Sequence, residues 1–146
     1  MSADHPLIES VDNLVYEPTQ VHEYGIDLTV SAVYTVASPG RLDFGGGELE
    51  DADLEPVSSQ RRNPDDEYEW WDLADGQYVV QYNEFLAEPD QPVMVQPRNE
   101  LLARGGSHPT VQVFEHLPLL PLTVAGGLRL KENARISTLV PVNPSR

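Results

Sequence analysis

Between Gly25 and Val36 the chain reads GIDLTVSAVYTV, and Ile26, Leu28, Val30, Ala32, Tyr34 and Val36 occupy every second position. A period of two places such a set on one face of an extended strand, whereas a helix would scatter it around its axis. The alternation recurs in GQYVVQYNEFL (Gly76 to Leu86), TVQVFEHL (Thr110 to Leu117), PLTVAGGLRL (Pro121 to Leu130) and ARISTLVPV (Ala134 to Val142), each bounded by Gly, Pro or Asn. Thirteen prolines and ten glycines in 146 residues punctuate the pattern and favour many short strands. Only NELLAR, Asn99 to Arg104, predicts a helix, with Asn99 as N-cap, Glu100 in the first turn and Gly105-Gly106 as the stop. DHPLIESVDNL, Asp4 to Leu14, is a candidate for one more short helix. The expectation is an all-β barrel or sandwich, in one domain over residues 1–146, with one short helix near its middle.

Charge narrows the partners. Twenty-four acidic against nine basic residues give a net charge of -15, which repels nucleic acid and anionic membrane surfaces. Lys131 is the single lysine beside eight arginines, and an acidic, lysine-poor surface fits a protein kept dissolved in concentrated salt, hence a halophilic, cytoplasmic origin. The absence of cysteine removes disulfides, thiolate metal sites and thiol nucleophiles. No apolar run approaches the roughly 18 residues of a membrane span, and no basic-then-apolar signal pattern opens the chain.

Several local features carry more than one reading. The segment from Gly45 to Gly76 is an excursion whose acidic, Gly-rich front half, about 45–67, reads as a solvated loop or as a cover over an active site. Trp70 and Trp71, with Tyr68, Tyr78 and Tyr82, could stack a base or fill core or interface. The four histidines lack the spacing of a metal site, GRLDFGGG lacks the Lys-Ser/Thr of a phosphate loop, and ELEDADLE does not fit an EF-hand. In MVQPRNELLARGG, Arg98 and Arg104 flank the predicted helix. A helix start beside an arginine fork suits phosphate oxygens, yet Glu100 could pair with either arginine and make the feature structural.

Three segments in order, YGIDLTVSAVYTV, DGQYVVQYNEFLAEPDQPVMVQPRNELLARGG and LRLKENARISTLVPV, together resemble the dUTPase and dCTP deaminase family, in particular its short archaeal members. The family patterns are a G-[VI]-D-L strand, a G-x-Y-[VL]-[LV] strand leading to an R-S-S-L-x-R helix start, and a late G-x-R-[IV]-[AG]-Q-L-V. The likeness covers about residues 20–142. It implies a dUTPase-like distorted jelly-roll barrel (β-clip), a homotrimer with active sites at subunit boundaries, and Mg²⁺ brought in with dUTP or dCTP. The implied chemistry is release of pyrophosphate from dUTP or deamination of dCTP.

Carried over residue by residue, the resemblance makes Arg98 a phosphate contact and Arg104 a second, displaced by one position. Asn99 and Glu100 replace the paired serines, and a carboxylate there opposes a triphosphate. Asp27 keeps the aspartate of the first strand, as a Mg²⁺ contact or a structural acceptor. Glu115, with His116 beside it, is the nearest substitute for the family's D-x-G-aromatic turn, as a general base on water, as the acid/base of a deaminase, or as an exposed strand residue. Thr138 stands in place of the family's glutamine, and the NPSR ending leaves too little for a glycine-rich arm. Three readings follow: a deoxynucleotide enzyme using Asp27 and Glu115, a degenerate family member kept as a nucleotide-binding or regulatory trimer, or an unrelated β-sandwich interaction domain.

Overall fold

The strand that opens with the alternating run organises the molecule. In a computed structural model, which describes residues 5–87, 89 and 91–142, that strand extends over Gly25–Ser38. Asp4 of the expected N-terminal helix, Glu88 and Asp90 of the proline-broken segment, and residues 143–146 lie outside the described residues.

In chain order the described strands are β1 (Val11–Asp12), β2 (Val21–His22), β3 (Gly25–Ser38), β4 (Asp53–Pro56), β5 (Trp70–Leu73), β6 (Gly76–Tyr82), β7 (Phe85–Leu86), β8 (Val93–Pro97), β9 (Gly106–Ser107), β10 (Val111–Val113), β11 (Leu120–Val124), β12 (Leu128–Lys131) and β13 (Arg135–Pro141). Two single-turn helices, α1 (Glu17–Gln20) and α2 (Asn99–Leu102), and a 3₁₀ turn at Ile8–Ser10 complete the inventory. The main sheet runs β10-β8-β13-β3-β6-β11-β9, all antiparallel, with β2 and β4 also on β3. β3 pairs with β13 along its first half and with β6 along its second, and register shifts at Arg135/Ser137 and Val30/Ala32 bend the sheet between them. Such bulges add local twist, which curls a sheet toward a barrel. Two-stranded pairs, β1-β7 and β5-β12, lie apart from it.

The alternation of β3 is only half of its story. Ile26, Leu28 and Val30 are fully buried as expected, but Asp27 and Thr29 are also buried, at 1% and 2% exposure. The intervening face is covered by polar side chains that bind them, so the first half of β3 is wet on neither side. Gly25 opens the strand because a Cβ there would collide with the carbonyl of Leu139 on β13.

Elsewhere the elements differ from expectation in instructive ways. The run Pro121–Leu130 is two strands, β11 and β12, separated by Gly126 and Gly127 at φ +80° and +103°. Thr110–Leu117 shortens to three residues and then bends. The acidic excursion contains an exposed strand, β4, hydrogen-bonded along the second half of β3. At the central helix, Arg98 takes the N-cap position in extended backbone conformation and Asn99 is the first helical residue, with no side-chain cap. Gly105, at φ +94°, stops it, and any side chain there would press on the carbonyl of Ala125.

Candidate active site

Three adjacent strands put one row of side chains on a common face. The antiparallel registers set Asp27 of β3 opposite Thr138 of β13, and Thr138 opposite Gln96 of β8. The next residue after β8 is Arg98, which turns the chain into α2. A cleft of about 220 Å³ opens over this row, lined by His22, Tyr24, Asp27, Gln96, Arg98 and Asn99 among others.

Asp27 is the hub. Its Oδ1 accepts the Thr138 hydroxyl at 2.8 Å and lies 2.9 Å from His22 Nε2. Its Oδ2 accepts Arg135 Nη1 at 3.0 Å and faces Arg98 Nε at 3.5 Å. Three hydrogen bonds and the longer ion-pair contact of Arg98 surround the carboxylate. Asp27 is therefore engaged on every side by groups of its own chain, which hold it in place and are held by it.

Arg98 is the partner with the most ties. Its backbone N-H donates to the Ile136 carbonyl at 3.0 Å, and Nη1 donates to the Arg135 carbonyl at 3.1 Å. Its Nη2 lies 3.3 Å from Glu100 Oε1, so the carboxylate that replaces a serine in the resemblance pairs with Arg98, one of the two arginines it was expected to be able to neutralise. The Glu100 side chain is 59% exposed, which makes this contact weak and screened. Arg104 is exposed and donates from Nη1 to the Glu100 carbonyl at 3.0 Å. With Arg98 it lines a hollow of about 290 Å³ adjoining the cleft. Asn99 is exposed at the lip of the cleft.

Glu115 sits elsewhere. It is exposed on the bend between β10 and β11 and is not among the residues lining the Asp27 cleft. Its neighbours Phe114 and Leu119, with Phe85, are exposed apolar side chains, at 64%, 46% and 62%. Among the described residues no group of three or more His, Asp or Glu side chains is placed to hold a metal ion. With Asp27 fully engaged, the cleft offers a divalent cation no set of free protein ligands.

Two buried polar clusters escaped the sequence reading. Glu84, 2% exposed, accepts from the Thr29 amide at 2.8 Å, the Thr29 hydroxyl at 2.6 Å and Gln20 Nε2 at 2.8 Å. Burial pushes its pKa up, and these hydrogen bonds only partly offset the push. His108, Ser137 and Tyr82 form a second chain, all buried. The His108 Nδ1 faces the Pro109 carbonyl at 2.9 Å, which can only accept, so Nδ1 carries the proton. Nε2 then accepts the Ser137 hydroxyl at 2.7 Å, and Ser137 accepts the Tyr82 hydroxyl.

Burial holds the His108 pKa below its ordinary value. A depressed histidine pKa gives stability that is present above the unfolded value near 6.5 and is lost as pH falls through the folded pKa. The raised Glu84 pKa has the opposite sign, giving stability present at low pH and lost as pH rises. His108→Gln keeps an acceptor toward Ser137 and does not titrate. It is expected to flatten the loss of melting temperature between about pH 7 and pH 5 relative to wild type. Parallel slopes in the two proteins would contradict that role.

A curled antiparallel sheet, with a short helix leaving one strand end beside a buried carboxylate hub, defines a dUTPase-like distorted β-barrel. The crystal structure of 2'-deoxycytidine 5'-triphosphate deaminase from Agrobacterium tumefaciens has this fold. It superposes on 90% of this chain and 43% of its own, with a TM-score of 0.58 at 13% identity. No family model matches the sequence. The chain is 28% identical over 147 residues to the "Probable deoxyuridine 5'-triphosphate nucleotidohydrolase" of Methanosarcina mazei, across 96% of this chain and 80% of that one. The protein of the same name from Methanosarcina acetivorans is 29% identical over 89% of this chain and 76% of its own. A third, from Halobacterium salinarum, is 33% identical over 57% of this chain and 49% of its own. These relatives and the shared fold together support membership of the dUTPase and dCTP deaminase family.

Proposed function

We propose that this protein hydrolyses dUTP to dUMP and pyrophosphate, with its Asp27–Thr138–Gln96 cleft as the phosphate end of the site. The observation that carries the reading is the agreement between two near-full-length relatives named for this activity and the placement of Arg98, at the cleft, on the Asp27 hub. Arg98 and Asn99 contact the triphosphate, with Arg104 at the rim. Asp27 orients Arg98 and is a positioning residue. Gln96, in register beside Thr138, brings to the cleft the amide that the family pattern carries one strand over. Mg²⁺ travels with the triphosphate and neutralises part of its charge there.

Glu115 supplies the base that draws a proton from the attacking water. In its own chain it does not line the cleft, so in this reading a neighbouring copy delivers it. The exposed Phe85, Phe114 and Leu119 around it support a homotrimer in which this collar is covered. The acidic, lysine-poor, cysteine-free composition supports a cytoplasmic setting in concentrated salt. Among the described residues no helix is long and apolar enough to cross a membrane.

A second reading has one observation in its favour. The Glu100 carboxylate already occupies Arg98, as a bound phosphate would, which suits a degenerate nucleotide-binding trimer or a dCTP deaminase-like variant. Glu100→Ser separates them. Because the pair is exposed, its removal is expected to raise kcat/KM for dUTP by about two- to fivefold, mostly through KM. Steady-state kinetics with Mg²⁺ checks this, and an unchanged or lower kcat/KM would mean that Glu100 does not compete with the substrate.

A further inference from the structure

With twenty-four carboxylates for nine cations, an arginine placed without constraint would find an acidic neighbour. Among the described residues, Arg61, Arg62, Arg104, Arg129 and Lys131 form no ion pair, and all five line adjoining hollows that share Trp70. Strand alternation explains part of the placement. In β12, Leu128 and Leu130 enter the core, which leaves Arg129 and Lys131 outward, opposite Asp72 and Trp70 of β5. The excursion supplies the rest, because Gln60 bridges to Trp70 and brings Arg61 and Arg62 over the β5 edge. The Arg62 guanidinium lies 5.2 Å from the Trp70 ring centroid and Lys131 Nζ lies 5.7 Å from it.

The largest of these hollows, about 570 Å³, has Arg61, Arg62 and Arg129 on its walls against the single carboxylate Asp72. Three positive charges less one negative leave two in excess there. Like charges gathered at one spot on an acidic protein repel one another unless an anion joins them. Guanidinium forks match phosphate oxygens in geometry, and the hollow has the size of a small-molecule site. No residue lining it also lines the Asp27 cleft. We propose that this Trp70 face is a second anion site, taking a phosphorylated ligand with at least two phosphate groups.

Trp70 provides the readout, since the only other tryptophan, Trp71, is 5% exposed. The full chain is titrated with inorganic tripolyphosphate and, separately, with dUTP, at the lowest salt at which its melting temperature shows it folded, following tryptophan fluorescence. A saturable change is expected. Arg129→Ala and Arg61→Ala, both exposed positions, are expected to weaken it by at least about tenfold each, the scale of one charge-assisted contact. Arg98 borders the smallest of these hollows but not the largest, so Arg98→Ala is expected to remove dUTP turnover while leaving the tripolyphosphate response intact. Tighter binding of dUTP than of tripolyphosphate would make a nucleotide the ligand, and equal binding would make the phosphate chain alone sufficient. The proposal is overturned by an absent response, by a response unmoved in Arg129→Ala, or by one lost in Arg98→Ala. A change that grows with protein concentration and needs no phosphate also overturns it, because an acidic segment of another copy would then fill the face.

Discussion

Asp27→Ala is expected to lower the stability of the chain by about 3–5 kcal/mol, the range for removing one partner of a buried ionic cluster. The carboxylate is 1% exposed and receives donors from three places in the chain: His22 on β2, Arg98 at the head of α2, and Arg135 and Thr138 on β13. Without it, Arg98 keeps only the exposed Glu100 as a counter-charge, and two guanidiniums converge on an uncompensated pocket. Total stabilities of about 5–15 kcal/mol leave little room for such a loss, so the variant should unfold early in denaturant. Asp27→Asn retains the shape and part of the hydrogen bonding, and should fall between. Chemical denaturation of the three proteins measures this. A cost under about 1 kcal/mol for Asp27→Ala would mean that the hub is not what orders this end of the barrel.

Arg98→Ala should behave in the opposite manner, with a large loss of activity and a modest loss of stability. Asp27 retains Arg135 at 3.0 Å, together with His22 and Thr138, whereas the Arg98 contact is the longest of the four at 3.5 Å. The fold can therefore survive the substitution. The triphosphate loses its main guanidinium, and kcat/KM for dUTP should drop by about a hundredfold or more. Arg98→Lys should recover little of it, because a point charge cannot reproduce the two-pronged contact while also donating to the Arg135 carbonyl. Turnover measured beside melting temperature separates the effects. Equal losses of activity and folding would reduce Arg98 to a structural arginine.

Local pattern made the strands legible, and long-range register did not. The alternation in the first half of β3 and the glycine stop after α2 could be read from neighbours in sequence, whereas past the Val30/Ala32 register shift Val33 is buried and Val36 exposed, against the expected face. That Asp27, Thr138 and Gln96 form one row could not, because it depends on how three strands far apart in the chain align. The polar partners of Glu84 were hidden for the same reason. Gln20, Thr29 and Glu84 each look like solvated residues until the folded chain brings them within hydrogen-bond distance. Arg98 stood out as a candidate phosphate contact through its motif, and in the fold it lines the cleft. Its pairing with Glu100 is an i, i+2 contact made possible because Arg98 is the extended cap and Glu100 lies within the helix. Glu115, the candidate base of the resemblance, is exposed and does not line the cleft within one chain.

The most direct measurement is product-resolved turnover: pyrophosphate and ammonia followed separately from dUTP and from dCTP, with Mg²⁺ at high salt, on the folded protein. The account predicts pyrophosphate from dUTP and no ammonia from dCTP. Ammonia from dCTP would move the chain to the deaminase side of its family, and neither product would leave a barrel that binds nucleotide without transforming it.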